Sequence, residues 1–173
     1  MKKIEFYLKK EQIVKDKTIV SLAGKYLAKA KSNLVTMNLL SELNNKKTRE
    51  LLDIPKDYDS NEWVVVCGYY AMYTAALALL AKIGYRSKNH SATIAVLEEH
   101  FIKKQYLDEK DILLIKNAYF HKEEIEKLMD AKNKREIAQY SITKNTTKEI
   151  AEKIKEEAYK FVNTCHKILE EDK

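Results

Sequence analysis

The 173-residue sequence is poor in the residues that make turns, with three glycines and one proline. An all-β sandwich or barrel needs a turn roughly every 8–12 residues. Collagen-like and linker-rich chains need far more glycine and proline than this. Because 45% of the residues are hydrophobic, the chain has enough apolar material for a core. The composition therefore predicts an all-α protein.

Cysteine, secretory signals and metal-binding motifs are also scarce. Cys67 and Cys165 are too few for a disulfide framework or a four-thiolate metal site. The first ten residues lack the apolar stretch of a secretory signal peptide. The sequence contains no glycine-rich phosphate loop and no HExxH motif, and its four histidines are scattered. We expect a reduced, cytoplasmic protein with no metal and no cofactor.

The positive charge is concentrated near the N-terminus. Residues 1–31 contain nine lysines and three acidic residues, which accounts for the net charge of +6 of the whole chain. A basic segment of this kind can attract nucleic acid or an acidic partner. It can equally be the solvated, lysine-rich face of a helix. The sequence leaves both interpretations open.

The spacing of apolar residues predicts one domain over residues 1–173, with its core at about 25–170 and a basic N-terminal helix or arm at 1–24. The fold class is an up-and-down antiparallel bundle of four to five long helices. The predicted helices cover about 18–43, 63–81, 92–103, 109–141 and 146–170. Capping-box spacing of Asp59 with Glu62, and of Thr146 with Glu149, marks two helix starts.

Residues 63–81 contain no formal charge. A run of this length approaches the 20 or so residues that span a membrane. However, Gly68, Thr74 and three tyrosines interrupt it, and its five alanines permit close helix packing. The run therefore favours the buried central helix of a bundle over a membrane span.

Three tyrosines and one arginine are the candidate binding residues. Tyr69 and Tyr73 are four residues apart on a helix, with Tyr70 beside them. Buried tyrosines need hydrogen-bond partners, so they line a polar cleft or a subunit interface, or they form an aromatic core with satisfied hydroxyls. Arg135 occupies an apolar position of its predicted helix. It must face a carboxylate in a structural pair, a carbonyl cluster, or an anionic ligand such as phosphate.

Three stretches resemble the HEPN domain family, small helical bundles found in prokaryotic proteins that are encoded beside minimal nucleotidyltransferases. They are residues 68–80, with the sequence Tyr-Tyr-Ala-Met, residues 84–97, which include His90, and residues 135–140. The last helix, from Glu149 to Val162, looks like the closing helix of the family. The resemblance covers about residues 25–170.

The resemblance implies a homodimeric HEPN-like bundle. Many members look like metal-independent ribonucleases in which an arginine and a histidine of two protomers line one cleft. Arg135 matches the arginine. The histidine position is Tyr140 in this chain, and a tyrosine with a pKa near 10 is a poor base at neutral pH.

From this departure we expect a binding role without catalysis. The chain would bind RNA, a nucleotide or a minimal nucleotidyltransferase partner, as one half of a toxin–antitoxin-like system and with no membrane association. The expected ligand-binding residues are those singled out above: Arg135, Tyr69, Tyr70, Tyr73 and His90. One alternative is a ribonuclease that uses Arg135 with Tyr140 or another residue as catalytic groups. Another is a structural helical adaptor.

Overall fold

A computed structural model describes the backbone of residues 3–133 and 140–171, and the side chains of residues 3–126 and 148–171. The elements described are mostly helices, with one short two-stranded sheet. They are α1 (Lys3–Lys9), β1 (Ile13–Lys15), a 3₁₀ helix (Lys17–Leu22), α2 (Ala23–Glu42), α3 (Lys46–Leu51), α4 (Asn61–Lys82), β2 (Tyr85–Ser87), α5 (His90–Leu97), a π-helical turn (Glu98–Ile102), α6 (Glu109–Asn133) and α7 (Tyr140–Glu171). The prediction of an all-α bundle is confirmed.

Helix α4 is the central helix of the bundle. It packs most extensively against α2 and α7, and it also contacts α5 and α6. Its buried residues include Val65, Met72 and Leu79. Helix α4 is long and apolar enough to cross a membrane, but 72% of its most apolar window is buried inside the protein. The prediction of a buried central helix is confirmed.

A glycine sets the distance between three helices. Gly68 lies on α4 where a Cβ atom would come within 2.6 Å of Cγ2 of Ile154 on α7 and 3.2 Å of Sδ of Met37 on α2. Real Cβ atoms essentially never approach another atom as closely as 2.6 Å. The absence of a side chain at Gly68 therefore allows α2 and α7 to pack against the same point of α4.

The short sheet was not predicted from the sequence. Strand β1 pairs with β2 in antiparallel register, with Val14 opposite Arg86 and Lys15 opposite Tyr85. Gly84 turns the chain from α4 into β2 with φ of +73°, a conformation that favours glycine. Its carbonyl accepts a 2.8 Å hydrogen bond from the backbone N–H of Asp16. The sheet thereby joins the N-terminal segment to the end of α4.

Two predicted helix starts are wrong. The helix predicted from residue 18 begins as a 3₁₀ helix, and α2 starts at Ala23. The predicted helix 109–141 is described as α6 through Asn133, and residues 134–139 lie outside the described residues. Helix α7 already includes Tyr140, six residues before the start predicted at Thr146. Helix α7 continues through residue 146 without a break, so the capping-box match there does not mark a helix start. The sequence that follows Tyr140 has no helix-breaking residue.

The start of α4 also differs from its prediction. Ser60 is the N-cap residue, and its hydroxyl donates a 2.6 Å hydrogen bond to the carbonyl of Leu40 instead of capping α4. The side chain of Asp59 accepts a 2.9 Å hydrogen bond from the backbone N–H of Asn61. The loop before α4 is thus fastened to the end of α2, which a local capping pattern does not reveal.

We expect Gly68→Ala to lower the free energy of unfolding by about 1–3 kcal/mol, because the added methyl overpacks the contact with Ile154. Urea unfolding followed by circular dichroism measures this change. Gly24→Ala on α2 is the matched control, since a Cβ there meets nothing within 4 Å. That control should stabilise the protein by about 0.5–1 kcal/mol through helix propensity. Equal effects of the two substitutions would contradict the packing role of Gly68.

Candidate functional site

Aromatic side chains from three helices meet at one face of α4, and we call them the tyrosine–histidine cluster. The members are Tyr69, Tyr70 and Tyr73 of α4, His90 of α5 and Tyr119 of α6. Tyr69 is buried at 4% exposure, whereas Tyr70 is 43% exposed. The other three members are half-buried. The cluster therefore runs from the core to the surface.

The rings of the cluster stack in a definite order. His90 lies nearly parallel to Tyr119, with ring centroids 4.1 Å apart and planes 14° apart. Tyr69 and Tyr73 stack with centroids 5.6 Å apart and planes 13° apart. Tyr69 also lies 5.6 Å from Tyr119. Buried Tyr69 thus connects two stacked pairs, and such contacts stabilise aromatic clusters beyond the area that they bury.

Local structure fixes the position of His90. It is the first residue of α5, whose N-cap Asn89 accepts a 2.8 Å hydrogen bond from the backbone N–H of Ala92. The hydroxyls of Ser87 and Thr93 lie 2.6 Å apart, which ties β2 to α5. Since β2 follows directly from α4, the cap and this contact hold His90 against the tyrosines of α4.

Charged groups of α6 surround the cluster. Lys122 places its Nζ 5.8 Å from the centroid of Tyr69 and 6.0 Å from that of Tyr119. It also forms a 2.6 Å ion pair with Glu126. The hydroxyl of Tyr119 donates a 2.7 Å hydrogen bond to Glu123. Aromatic faces with an ammonium group nearby are suited to stacking and cation–π contacts.

The surroundings of the cluster keep its titratable groups neutral. Burial, helped by the positive charge of Lys116, lowers the pKa of His90 to about 4, against a smaller opposing effect of Glu123. Burial raises the pKa of Tyr69 most, and electrostatic interactions with the neighbouring tyrosines raise it further. The Nδ1 atom of His90 is buried without a hydrogen-bond partner among the described residues. At neutral pH the rings of Tyr69 and His90 are uncharged, with Lys122, Glu123 and Glu126 of α6 beside the cluster.

These properties suit binding better than proton transfer. An imidazole with a pKa near 4 is almost wholly neutral at pH 7 and cannot serve as a general acid. Stacked rings can accept a planar base, and the nearby lysines can attract phosphate. Among residues with described side chains, no group of three His, Cys, Asp or Glu residues could hold a metal ion.

The structure brings together four of the six residues singled out from the sequence: Tyr69, Tyr70, Tyr73 and His90. Their role in binding stays a prediction. Arg135 lies outside the described residues. Tyr140 is the first residue of α7, and its side chain is not among those described. The prediction that Tyr140 shares the helix that begins at about Glu109 depends on residues 134–139, which lie outside the described residues.

Sequence reasoning missed the contribution of α6. Tyr119 and Glu123 are one helical turn apart, and Lys122 lies between them. The signal that could have found them is this spacing, which places an aromatic ring and a carboxylate on one face of a helix. Nothing in the spacing, however, showed that this face meets α4 and α5.

We expect His90 to titrate near pH 4 when its ring protons are followed by NMR. The unfolded chain binds a proton at about pH 6.5, so unfolding takes up a proton between pH 6.5 and 4. The free energy of unfolding should therefore fall as the pH is lowered through this window, and less steeply in His90→Gln. A His90 midpoint at or above 6.5 would show that the ring is not desolvated as described.

The comparisons with known proteins identify the family. Residues 21–169 match the HEPN domain family. No curated protein and no solved structure matches the chain significantly. The match includes α2 and α4–α6, most of α7, and every member of the tyrosine–histidine cluster. Since the match spans most of the 173 residues, the chain belongs to the HEPN domain family.

Proposed function

We propose that this HEPN domain binds RNA or a nucleotide at the tyrosine–histidine cluster without cleaving it. The observation that carries the proposal is the stacked pair of His90 and Tyr119 beside Lys122 of α6. Stacking of a base on an aromatic ring contributes about 1–3 kcal/mol. Lysines at the edge of the cluster would contact the phosphate groups.

We propose that Arg135, which lies outside the described residues, also contacts phosphate. Its match to the family arginine supports a phosphate contact, because a guanidinium donates two parallel hydrogen bonds to a phosphate. The tyrosine at position 140, where the family pattern has a histidine, and the neutral state of His90 both support binding without catalysis. We further propose that the protein works in the cytoplasm as one half of a toxin–antitoxin-like system, with a minimal nucleotidyltransferase as its partner.

Two other functions make different predictions. A metal-independent ribonuclease would require Arg135-dependent cleavage, with Tyr140 or another residue moving the proton. A structural helical adaptor would bind neither RNA nor nucleotide. The ring geometry favours the binding function, since an adaptor does not need a neutral, half-buried histidine stacked on a tyrosine.

The deciding experiment mixes the purified protein with fluorescein-labelled, mixed-sequence RNA in EDTA and measures binding and cleavage together. We expect the wild type to bind without cleaving. Tyr119→Ala should weaken binding roughly 5- to 150-fold, the equivalent of one stacked base, and Tyr119→Phe should retain most of it. Arg135→Ala should weaken binding, whereas Lys47→Ala, which removes an exposed lysine on α3, should not.

The same experiment separates the alternatives. Cleavage by the wild type that Arg135→Ala abolishes would establish the ribonuclease and overturn the binding proposal. If the Tyr140→His protein cleaves RNA while the wild type binds RNA without cleaving it, the wild type is a nuclease scaffold without its base, as proposed. Absence of both RNA and nucleotide binding in the wild type would favour the adaptor.

We also propose that the protein is a homodimer joined through the exposed side of α4. Trp63 is 48% exposed and Tyr70 is 43% exposed. These residues are seven positions apart, which places them two turns apart on one face of α4. Half-buried Val66 and Cys67 lie between them in sequence. Large exposed aromatic residues on one face are typical of protein interfaces.

We expect the wild type to sediment as a dimer at micromolar concentration and Trp63→Lys to sediment as a monomer, because the substitution would desolvate a charge at the interface. Leu39→Lys is the matched control, since Leu39 is 65% exposed on α2. The control should remain dimeric. A monomeric wild type would refute the dimer, and a monomeric Leu39→Lys beside a dimeric Trp63→Lys would place the interface on α2.

A further inference from the structure

A second group of basic and aromatic side chains lies where the short sheet meets the π-helical turn, and we call it the mini-sheet patch. Its members are Lys15 of β1, Tyr85 of β2, His100 of the π-helical turn, and Lys103 and Lys104 just after that turn. His100 lies ten residues after His90, which is about 15 Å along a helix. The patch is therefore separate from the tyrosine–histidine cluster.

Strand pairing and ring contacts assemble this patch. Lys15 is the register partner of Tyr85, and its Nζ lies 5.8 Å from the centroid of the Tyr85 ring. The Tyr85 ring lies 5.0 Å from that of His100. Lys104 follows His100 by four residues, in the turn after the π-helical segment, and its charge acts on the His100 ring. An aromatic pair is thus flanked by lysines that come from distant parts of the sequence.

The patch has an excess of positive charge. Lys15, Lys103 and Lys104 are exposed. Glu99 pairs with Lys103, while among the described residues no carboxylate lies within ion-pair distance of Lys15 or Lys104. Burial lowers the pKa of His100, and the charges of Lys104, Lys15 and Lys103 lower it further, while Glu99 opposes them. The three ammonium groups therefore lie close enough to act on one imidazole.

The backbone around the patch departs from regular structure. Glu98–Ile102 forms a π-helical turn, a rare conformation that is frequent at functional sites. Glu11 has φ of 52° and Gln105 has φ of 61°, which costs energy in a residue with a side chain. Glu11 precedes β1, and Gln105 follows Lys104. Irregular backbone of this kind clusters where a protein presents side chains to a ligand.

We propose that the mini-sheet patch binds the phosphate backbone of single-stranded RNA, as a contact additional to the tyrosine–histidine cluster. The inference deepens the proposed function and rests on it, because it assumes that the chain binds RNA. Lysines separated by aromatic rings suit a single strand, whose phosphates alternate with bases able to stack. Lys15 lies outside the family-matched residues 21–169, so the patch depends on a segment that the family match does not include.

The test measures binding of a labelled single-stranded RNA at several salt concentrations. We expect the double variant Lys15→Ala, Lys104→Ala to lose two phosphate contacts. This loss should weaken binding about tenfold at 0.15 M salt and reduce the slope of log K against log salt by about 1.4. The variant Lys15→Arg, Lys104→Arg keeps both charges and should bind as the wild type does.

A matched control removes two exposed lysines from the other end of α4. Lys47 and Lys56 lie on α3 and in the loop before α4, whereas β2 follows the opposite end of α4, a helix about 33 Å long. The control Lys47→Ala, Lys56→Ala should leave the affinity and the salt slope near their wild-type values. All these lysines are exposed, and circular dichroism verifies that each variant is folded.

The outcomes distinguish failure of the patch from failure of the proposed function. If Tyr119→Ala weakens RNA binding and the variant Lys15→Ala, Lys104→Ala binds RNA as the wild type does, the proposal for the patch is wrong and the proposed function stands. If the wild type binds a nucleotide but no RNA, the patch is wrong and the proposed function stands, and if it binds neither, both are wrong. If the double variant loses binding to anionic lipid vesicles but keeps its RNA affinity, the patch serves a membrane surface and the inference is overturned.

Discussion

Close packing around α4 is the constraint on which the rest of the structure depends. Because Gly68 has no side chain, Ile154 of α7 and Met37 of α2 both reach the surface of α4. Interiors are packed at the density of organic crystals, so this contact fixes the angle and spacing of three helices together. Residues 69–73 follow Gly68 directly, and their orientation toward α5 and α6 is set by the same packing.

Burial determines the charge state at the centre of the tyrosine–histidine cluster. Desolvation disfavours the charged form of every group that it covers. It lowers the pKa of His90 to about 4, so the imidazole carries no positive charge at neutral pH. The positive charge beside the aromatic rings comes from Lys122 of α6, which is itself paired with Glu126. Ring stacking and charge are thus supplied by different residues.

The long helices of the fold could be predicted from the sequence. The uncharged run at 63–81 identified the central helix because such a run has few alternatives to burial. The continuation of α7 through residues 141–147 could not be predicted, because Ser, Thr and Asn there are weak helix formers that favour caps and turns. The pairing of β1 with β2 was equally hidden, since three-residue strands have too little periodicity to be recognised.

The candidate site was predictable only in part, for a related reason. The spacing of Tyr69 and Tyr73 on one helix is local information, and the resemblance to the HEPN family added His90. The stacking of His90 on Tyr119 depends on how α5 and α6 dock onto α4, which is a property of the tertiary structure. The same holds for Lys15 and His100, which a sheet and a π-helical turn bring into one patch.

Strand β1 supplies the backbone partners of β2. A protein shortened to the family-matched residues 21–169 would lose β1 and leave the backbone N–H and C=O groups of β2 without their strand partner. It would also lose the hydrogen bond between the Lys88 N–H and the Gln12 carbonyl. The N-terminal segment therefore belongs to the folding unit although it lies outside the family match, and its removal would leave these backbone groups to water even if the helical bundle stayed folded.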